Sequence, residues 1–174
     1  VPTSSPIFAY EVCRLIMDVA PVTVLDVGIG FGKYGFLARE YADVWFGRLK
    51  KEEWKTRIVG IEIFEPYIQE LQRMIYSEIV IGNVLEVLRL AGKYDVIICG
   101  DVLEHFHKEQ GLELLQLMKE KGKKVCVITP VHMTGQGSEF GNIYETHLGQ
   151  WSEEELKQYG AVQKRNGAYF LLME

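Results

Sequence analysis

The chain has 174 residues, 48% of them hydrophobic and 25% charged, which suits one globular domain and excludes general disorder. It is too short for a (β/α)₈ barrel, which needs about 250 residues, and for a dehydrogenase with separate cofactor and substrate domains. With 24 acidic against 19 basic side chains, its formal charge of −5 argues against a protein that grips nucleic acid by bulk charge.

Residues 6–20 read as a helix, with Ser5 as its cap and Pro6 in its first turn. Ile7, Phe8, Val12, Leu15, Ile16 and Val19 recur at helical spacing, while Glu11, Arg14 and Asp18 interrupt the apolar run. The segment is therefore neither a signal peptide nor a membrane span. Residues 22–27 form a short β-branched run, a buried strand, followed by a glycine turn at 28–32 and a helix at 33–41. Residues 42–57 mix aromatic with basic side chains and read as an inserted short helix or ordered loop. Strands follow at 58–63, 79–81, 94–100 and 124–129, alternating with helices at 66–76, 84–90 and 108–121. The polar loop 131–150 is long, and long loops in compact domains are usually functional. Ser152 and Glu155 form a capping box, and Asn166-Gly167 joins strands 161–165 and 168–173 as a hairpin. Cys13, Cys99 and Cys126 lie far apart in apolar runs, which predicts free thiols in a reducing, cytoplasmic setting.

Alternating strands and helices predict an α/β fold over the whole of 1–174, as a single domain. The expected architecture is a Rossmann-like, doubly wound, seven-stranded and mostly parallel sheet with a C-terminal antiparallel hairpin. Ligands of such sheets bind beyond the carboxyl ends of the strands. Those ends carry Asp26, Glu62, Asp101 and Glu104, with Lys33 as the only basic residue.

Three readings compete for the glycine turn. A Walker loop fails, because Val27 stands where the first glycine belongs and Tyr34 replaces Ser or Thr. A dinucleotide fingerprint occurs at Gly30, Gly32 and Gly35, but two residues late relative to the strand end. In the third reading Gly28 and Gly30 bring the backbone close to a nucleoside, with Asp26 just before them. Charge favours the third. Like charges about 4 Å apart repel by about 4 kcal/mol at an effective dielectric near 20, so an acidic rim opposes a pyrophosphate. It suits S-adenosylmethionine, whose sulfonium, ammonium and carboxylate sum to one positive charge.

Residues 24–32 (Val-Leu-Asp-Val-Gly-Ile-Gly-Phe-Gly), 59–62 (Val-Gly-Ile-Glu) and 94–105 (ending Asp-Val-Leu-Glu-His) stand in order on the predicted strand ends. Through them the chain resembles the class I S-adenosylmethionine-dependent methyltransferases over nearly its whole length. The resemblance implies S-adenosylmethionine as cofactor and S-adenosylhomocysteine (SAH) as its product. It implies that Gly28 and Gly30 approach the methionine part and that Asp26 orients the ammonium, directly or through water. Glu62 would hold the ribose hydroxyls, Ile63 would line the adenine, Asn83 would face its amino group, and Val84 would add an apolar contact. Asp101 would sit near the methionine and the transferred methyl. Asn83 departs from the Asp usual there, and the 42–57 insertion stretches the gap between the first two motifs.

Methyl transfer to a protonated oxygen or nitrogen needs a base, and His105 is the nearest candidate, followed by His132 and His147. No metal-ligand spacing such as H-E-x-x-H is present, so no metal is expected. The expected acceptor is a small molecule, taken at O, N or C, with loop 131–150 as a substrate lid. The alternatives are a nucleic-acid or protein acceptor docked on 45–57, a non-catalytic nucleoside-binding module, and a nicotinamide-binding domain.

Overall fold

The computed structural model describes residues 3–133 and 135–174. The apolar runs pair side by side as β1 (Thr23–Val27), β2 (Arg57–Glu62), β3 (Glu78–Ile81), β4 (Tyr94–Gly100) and β5 (Gly122–Pro130), all parallel. The hairpin strands β6 (Ala161–Arg165) and β7 (Ala168–Met173) close the sheet, with β7 antiparallel to β5. The order is β3-β2-β1-β4-β5-β7-β6, so the crossover reverses at β1 and β4. At that switch point the register aligns Val27 with Ile61 and with Cys99, bringing three strand ends level.

Successive strand residues point to opposite faces, so each run feeds two cores. On one face Val24, Ile58, Val96, Ile98 and Ile128 pack under α1 (Ala9–Val19), α2 (Lys33–Ala42) and α3 (Glu70–Ile75). On the other, Leu25, Val59, Ile61, Ile97 and Val127 pack under α4 (Val84–Leu90) and α5 (Lys108–Lys121), together with Trp151 and with Leu156 of α6 (Glu153–Lys157).

Strand β4, helices α4 and α5 and the hairpin have the bounds expected from sequence. Two helices differ. Helix α1 starts at Ala9, and Ser5 does not cap it: the Ser5 amide donates to Asp101 Oδ2 at 2.7 Å instead. The segment 66–76 divides into a 3₁₀ turn, Glu65–Tyr67, and α3. Gln69 is extended there, and Gln72 accounts for the break. Its Oε1 accepts from the Gln69 amide (3.0 Å), while its Nε2 donates to Gly30 O (2.9 Å) and Tyr67 O (3.0 Å).

The insertion forms two 3₁₀ turns, Val44–Phe46 and Lys51–Glu53, organised by the fully buried Asp43. Its carboxylate pairs with Arg39, accepts from Arg48 Nε at 2.7 Å and accepts from the Lys55 amide at 2.8 Å. The Arg39 guanidinium lies 3.9 Å from the Trp54 ring centroid. Cys13, Cys99 and Cys126 are buried and free. Among the described residues no helix is long and apolar enough to cross a membrane.

Candidate active site

A cavity of about 500 Å³ opens where β1, β2 and β4 end. Gly28, Gly30, Glu62, Ile63, Asn83, Val84, Asp101 and His105 all line it. The turn after β1 is fixed by two amides, Gly28 and Ile29, which donate to Ile61 O at 2.9 and 3.2 Å. Gly28 has φ +68, and a Cβ there would meet Val102 Cγ2 at 2.4 Å, so the position admits glycine alone.

Glu62 is 5% exposed. Its Oε2 accepts from the Gly30 amide and its Oε1 from the Phe64 amide, each at 2.9 Å. Burial raises its pKa, against the pull of those amides. Asn83 caps α4, its Oδ1 accepting from the Leu85 amide at 2.9 Å. One of its acceptor directions is therefore already used. Asp101 has φ +53, and its pKa is raised by burial and held back by the Ser5 amide, Lys33 and His147. Lys33 is the one Lys or Arg among the described lining residues, and its ammonium donates to Ser4 O.

Asp26 requires a correction. It does not line the cavity; it is 1% exposed, beneath the turn, and its Oδ2 accepts from Tyr76 OH at 2.5 Å. Burial pushes its pKa up to about 7, with the Tyr76 hydroxyl opposing. It braces β1 against the residue after α3, and direct contact with an ammonium is not available to it.

Beyond β4 a 3₁₀ turn, Leu103–His105, carries two further groups. Glu104 is 2% exposed and accepts from Thr129 Oγ1 at 3.0 Å. Burial, then the nearby Asp101 charge, pushes its pKa up to about 8. His105 places Nδ1 3.2 Å from Thr146 O, which fits an Nδ1–H donor, and burial lowers its pKa. Its ring meets His147 edge-on, with centroids 5.0 Å apart. His132 is exposed and outside the cavity wall, so only His147 joins His105 there.

From the loop after β5, Gln136, Asn142, Tyr144, Glu145, His147 and Leu148 line the cavity. Leu148 and Gly149 amides donate to Glu104 O at 2.8 and 3.0 Å. Tyr67 OH donates to Glu145 Oε1 at 2.9 Å, and Gln136 Nε2 to Glu145 O at 2.9 Å. Tyr67 lines the cavity from outside every motif read in the sequence, and Gln136, Asn142 and Glu145 join it from the 131–150 loop. Only their position in or opposite the 131–150 loop hinted at them.

No family model matches the chain. It is 26% identical over 159 residues to a ubiquinone biosynthesis O-methyltransferase of Rickettsia typhi, covering 90% of this chain and 60% of that protein. A putative O-methyltransferase of Nostoc punctiforme superposes with TM-score 0.65 at 16% identity, over 95% of this chain and 56% of the other. The magnesium protoporphyrin IX methyltransferase of Synechocystis, solved with SAH bound, gives TM-score 0.62 at 17% identity, over 94% and 80%. The chain thus spans 60% of the length of the Rickettsia protein and 56% of that of the Nostoc protein, less than two thirds of either. Its strand order, its glycine turn and these likenesses agree: the chain is built on the fold of the class I S-adenosylmethionine-dependent methyltransferases.

Proposed function

We propose that the chain is an S-adenosylmethionine-dependent methyltransferase acting on an oxygen of a small-molecule acceptor. The observation that carries this reading is the buried Glu62 carboxylate, held by two amides beside the glycine turn and facing the cavity. A carboxylate so placed accepts two vicinal ribose hydroxyls. The rest of the wall fits the same group. Ile63 and Val84 offer apolar sides for an adenine, and Asn83 a polar edge. Asp101 suits an ammonium, while Lys33 suits a carboxylate. The Tyr34 hydroxyl, buried beside Ser4 without a hydrogen bond of normal geometry, is a second donor at that end. The cofactor, when bound, supplies a methyl carbon activated by its sulfonium.

The chain's own part is alignment and proton removal, of which alignment is worth roughly 7–11 kcal/mol in well-oriented reactions. The loop is pinned over the acceptor side by Tyr67 and by the Glu104 backbone, and would shield that side from water. With its Nδ1–H given to Thr146 O, neutral His105 keeps a lone pair on Nε2 for a hydroxyl proton. Its lowered pKa keeps the ring neutral near pH 7. A cavity of about 500 Å³ that must hold a nucleoside leaves room for a small acceptor only.

A macromolecular acceptor docked on 45–57 fits less well. The exposed Trp45, Phe46 and Leu49 follow the far end of α2, which begins at the glycine turn. Ten helical residues at 1.5 Å each carry the chain about 15 Å from the cavity.

Calorimetric titration with SAH and with NADH tests the proposal. SAH binding that is lost in Glu62→Ala supports it; tight NADH binding with no heat from SAH overturns it.

A further inference from the structure

We propose that Tyr67, held in place by Gln72, is a positioning residue that registers the 131–150 loop against Glu62. The Glu62 carboxylate accepts from the Gly30 and Phe64 amides, each at 2.9 Å. Both donors lead to Tyr67. The Gly30 and Tyr67 carbonyls accept from the same Gln72 Nε2, at 2.9 and 3.0 Å. The Phe64 ring meets the Tyr67 ring edge-on, with centroids 4.9 Å apart. From a backbone fixed in this way, the Tyr67 hydroxyl donates to Glu145 Oε1 at 2.9 Å.

Gln72 is suited to this task. It is 1% exposed, and its Oε1 accepts from the Gln69 amide at 3.0 Å while both Nε2 protons go to carbonyls. A flipped amide would set its oxygen against two carbonyls and its nitrogen against an N–H, so one orientation alone is compatible with these partners. Burial, with the neighbouring Glu145 charge, pushes the Tyr67 pKa up to about 12, so the hydroxyl is a donor at neutral pH. The loop it catches is tied to itself. Gln136 Nε2 donates to Glu145 O at 2.9 Å, and the His147 amide donates to Gln136 O at 3.1 Å.

The consequence is a coupling between the two sides of the cavity. A ligand that fixes the Glu62 carboxylate also steadies Gly30 and Phe64, and through them Tyr67. The loop then loses less freedom when it settles on the Tyr67 hydroxyl, so binding at Glu62 favours an ordered loop. By reciprocity, an ordered loop favours binding at Glu62. Filling the nucleoside end thus helps to complete the acceptor end, where Glu145, His147 and Leu148 line the wall. The ligand half of this coupling rests on the methyltransferase reading, whereas the link from Gln72 through Tyr67 to the loop does not. Neither Gln72 nor Tyr67 falls in a strand-end motif; the link depends on α3 packing beside the glycine turn.

The test is amide hydrogen exchange of residues 140–150, read by mass spectrometry with and without saturating SAH. Without ligand, Tyr67→Phe, which loses only the hydroxyl, should exchange this segment at least fivefold faster than the parent at an unchanged melting temperature. Gln72→Met, which touches no loop residue through a hydrogen bond, should do the same. Glu145→Gln keeps an acceptor for the hydroxyl and should exchange like the parent. SAH should slow the segment at least fivefold in the parent and less than twofold in Tyr67→Phe, although SAH still binds that variant. Parent-like exchange in ligand-free Tyr67→Phe, or equal protection by SAH in both proteins, overturns the proposal. If Gln72→Met does not fold, Tyr67→Phe and Glu145→Gln decide it alone. SAH that binds none of these proteins sinks the methyltransferase reading, and the ligand-free comparison then judges Tyr67 by itself.

Discussion

The Glu62 carboxylate at the end of β2 accepts a hydrogen bond from the Gly30 amide in the turn after β1, at 2.9 Å. One side chain thus holds the turn in shape and presents charge to the cavity. Glu62→Gln keeps the size but removes the charged acceptor. Hydrogen bonds to charged groups are worth about 1.5–3 kcal/mol, so SAH binding should weaken roughly 10- to 100-fold. Calorimetry reads this directly, and an affinity within twofold of the parent would remove Glu62 from the ribose subsite.

Lys33 sits at the first position of α2 and is the one Lys or Arg in the described cavity wall. If it meets the methionine carboxylate, Lys33→Met should weaken SAH about tenfold. The same change should leave 5′-methylthioadenosine, which lacks that carboxylate, unaffected. Equal loss for both ligands would show that Lys33 acts only by holding Ser4 and the N-terminal segment.

What the sequence makes legible, and what it hides, divides by range. Helix α4, strand β4 and the Asn166-Gly167 hairpin follow from local periodicity and turn chemistry, and their bounds agree with expectation. The start of α1 does not, because the Ser5 amide is taken by Asp101, far along the chain. The break at Gln69 depends on Gln72 reaching back to Gly30. The same holds for the site. Glu62, Asp101 and the glycines are legible from their place at strand ends. Asp26 is misplaced because Tyr76, its partner, follows a different helix. The contact of Tyr67 with Glu145 exists only once the lid has folded.

Asp43 anchors the insertion to α2 through Arg39, Arg48 and the Lys55 amide, fully buried. Removing one member of a buried ion network leaves the others uncompensated, at about 3–5 kcal/mol. Asp43→Ala should therefore destabilise the fold by that order in denaturant unfolding. SAH affinity of the remaining folded protein should hold, since the insertion lies at the far end of α2. A loss under 1 kcal/mol would mean the insertion is loosely attached.

Two aspartates give stability opposite pH dependences. Asp95 Oδ1 pairs with Lys123 at 2.7 Å, and Oδ2 accepts from the Val22 and Thr23 amides, each at 2.9 Å. Chiefly through Lys123, its pKa falls from 3.8 to about 2. A group lowered on folding stabilises above its unfolded pKa, and that stabilisation is lost as pH falls from about 4 to about 2. Nearly two units at about 1.4 kcal/mol each, discounted because Lys123 is exposed, leave about 1–2 kcal/mol. Asp26 is the reverse case, raised by burial from 3.8 to about 7. Its contribution is complete below about pH 4 and is lost as pH rises through about 7. Asp95→Asn should flatten the acid limb of a stability-versus-pH curve, and Asp26→Asn the decline between about pH 4 and 7. Urea midpoints measured across the range check both. An Asp26→Asn curve parallel to the parent's would mean that the carboxylate titrates normally, and that Tyr76 braces it as an anion.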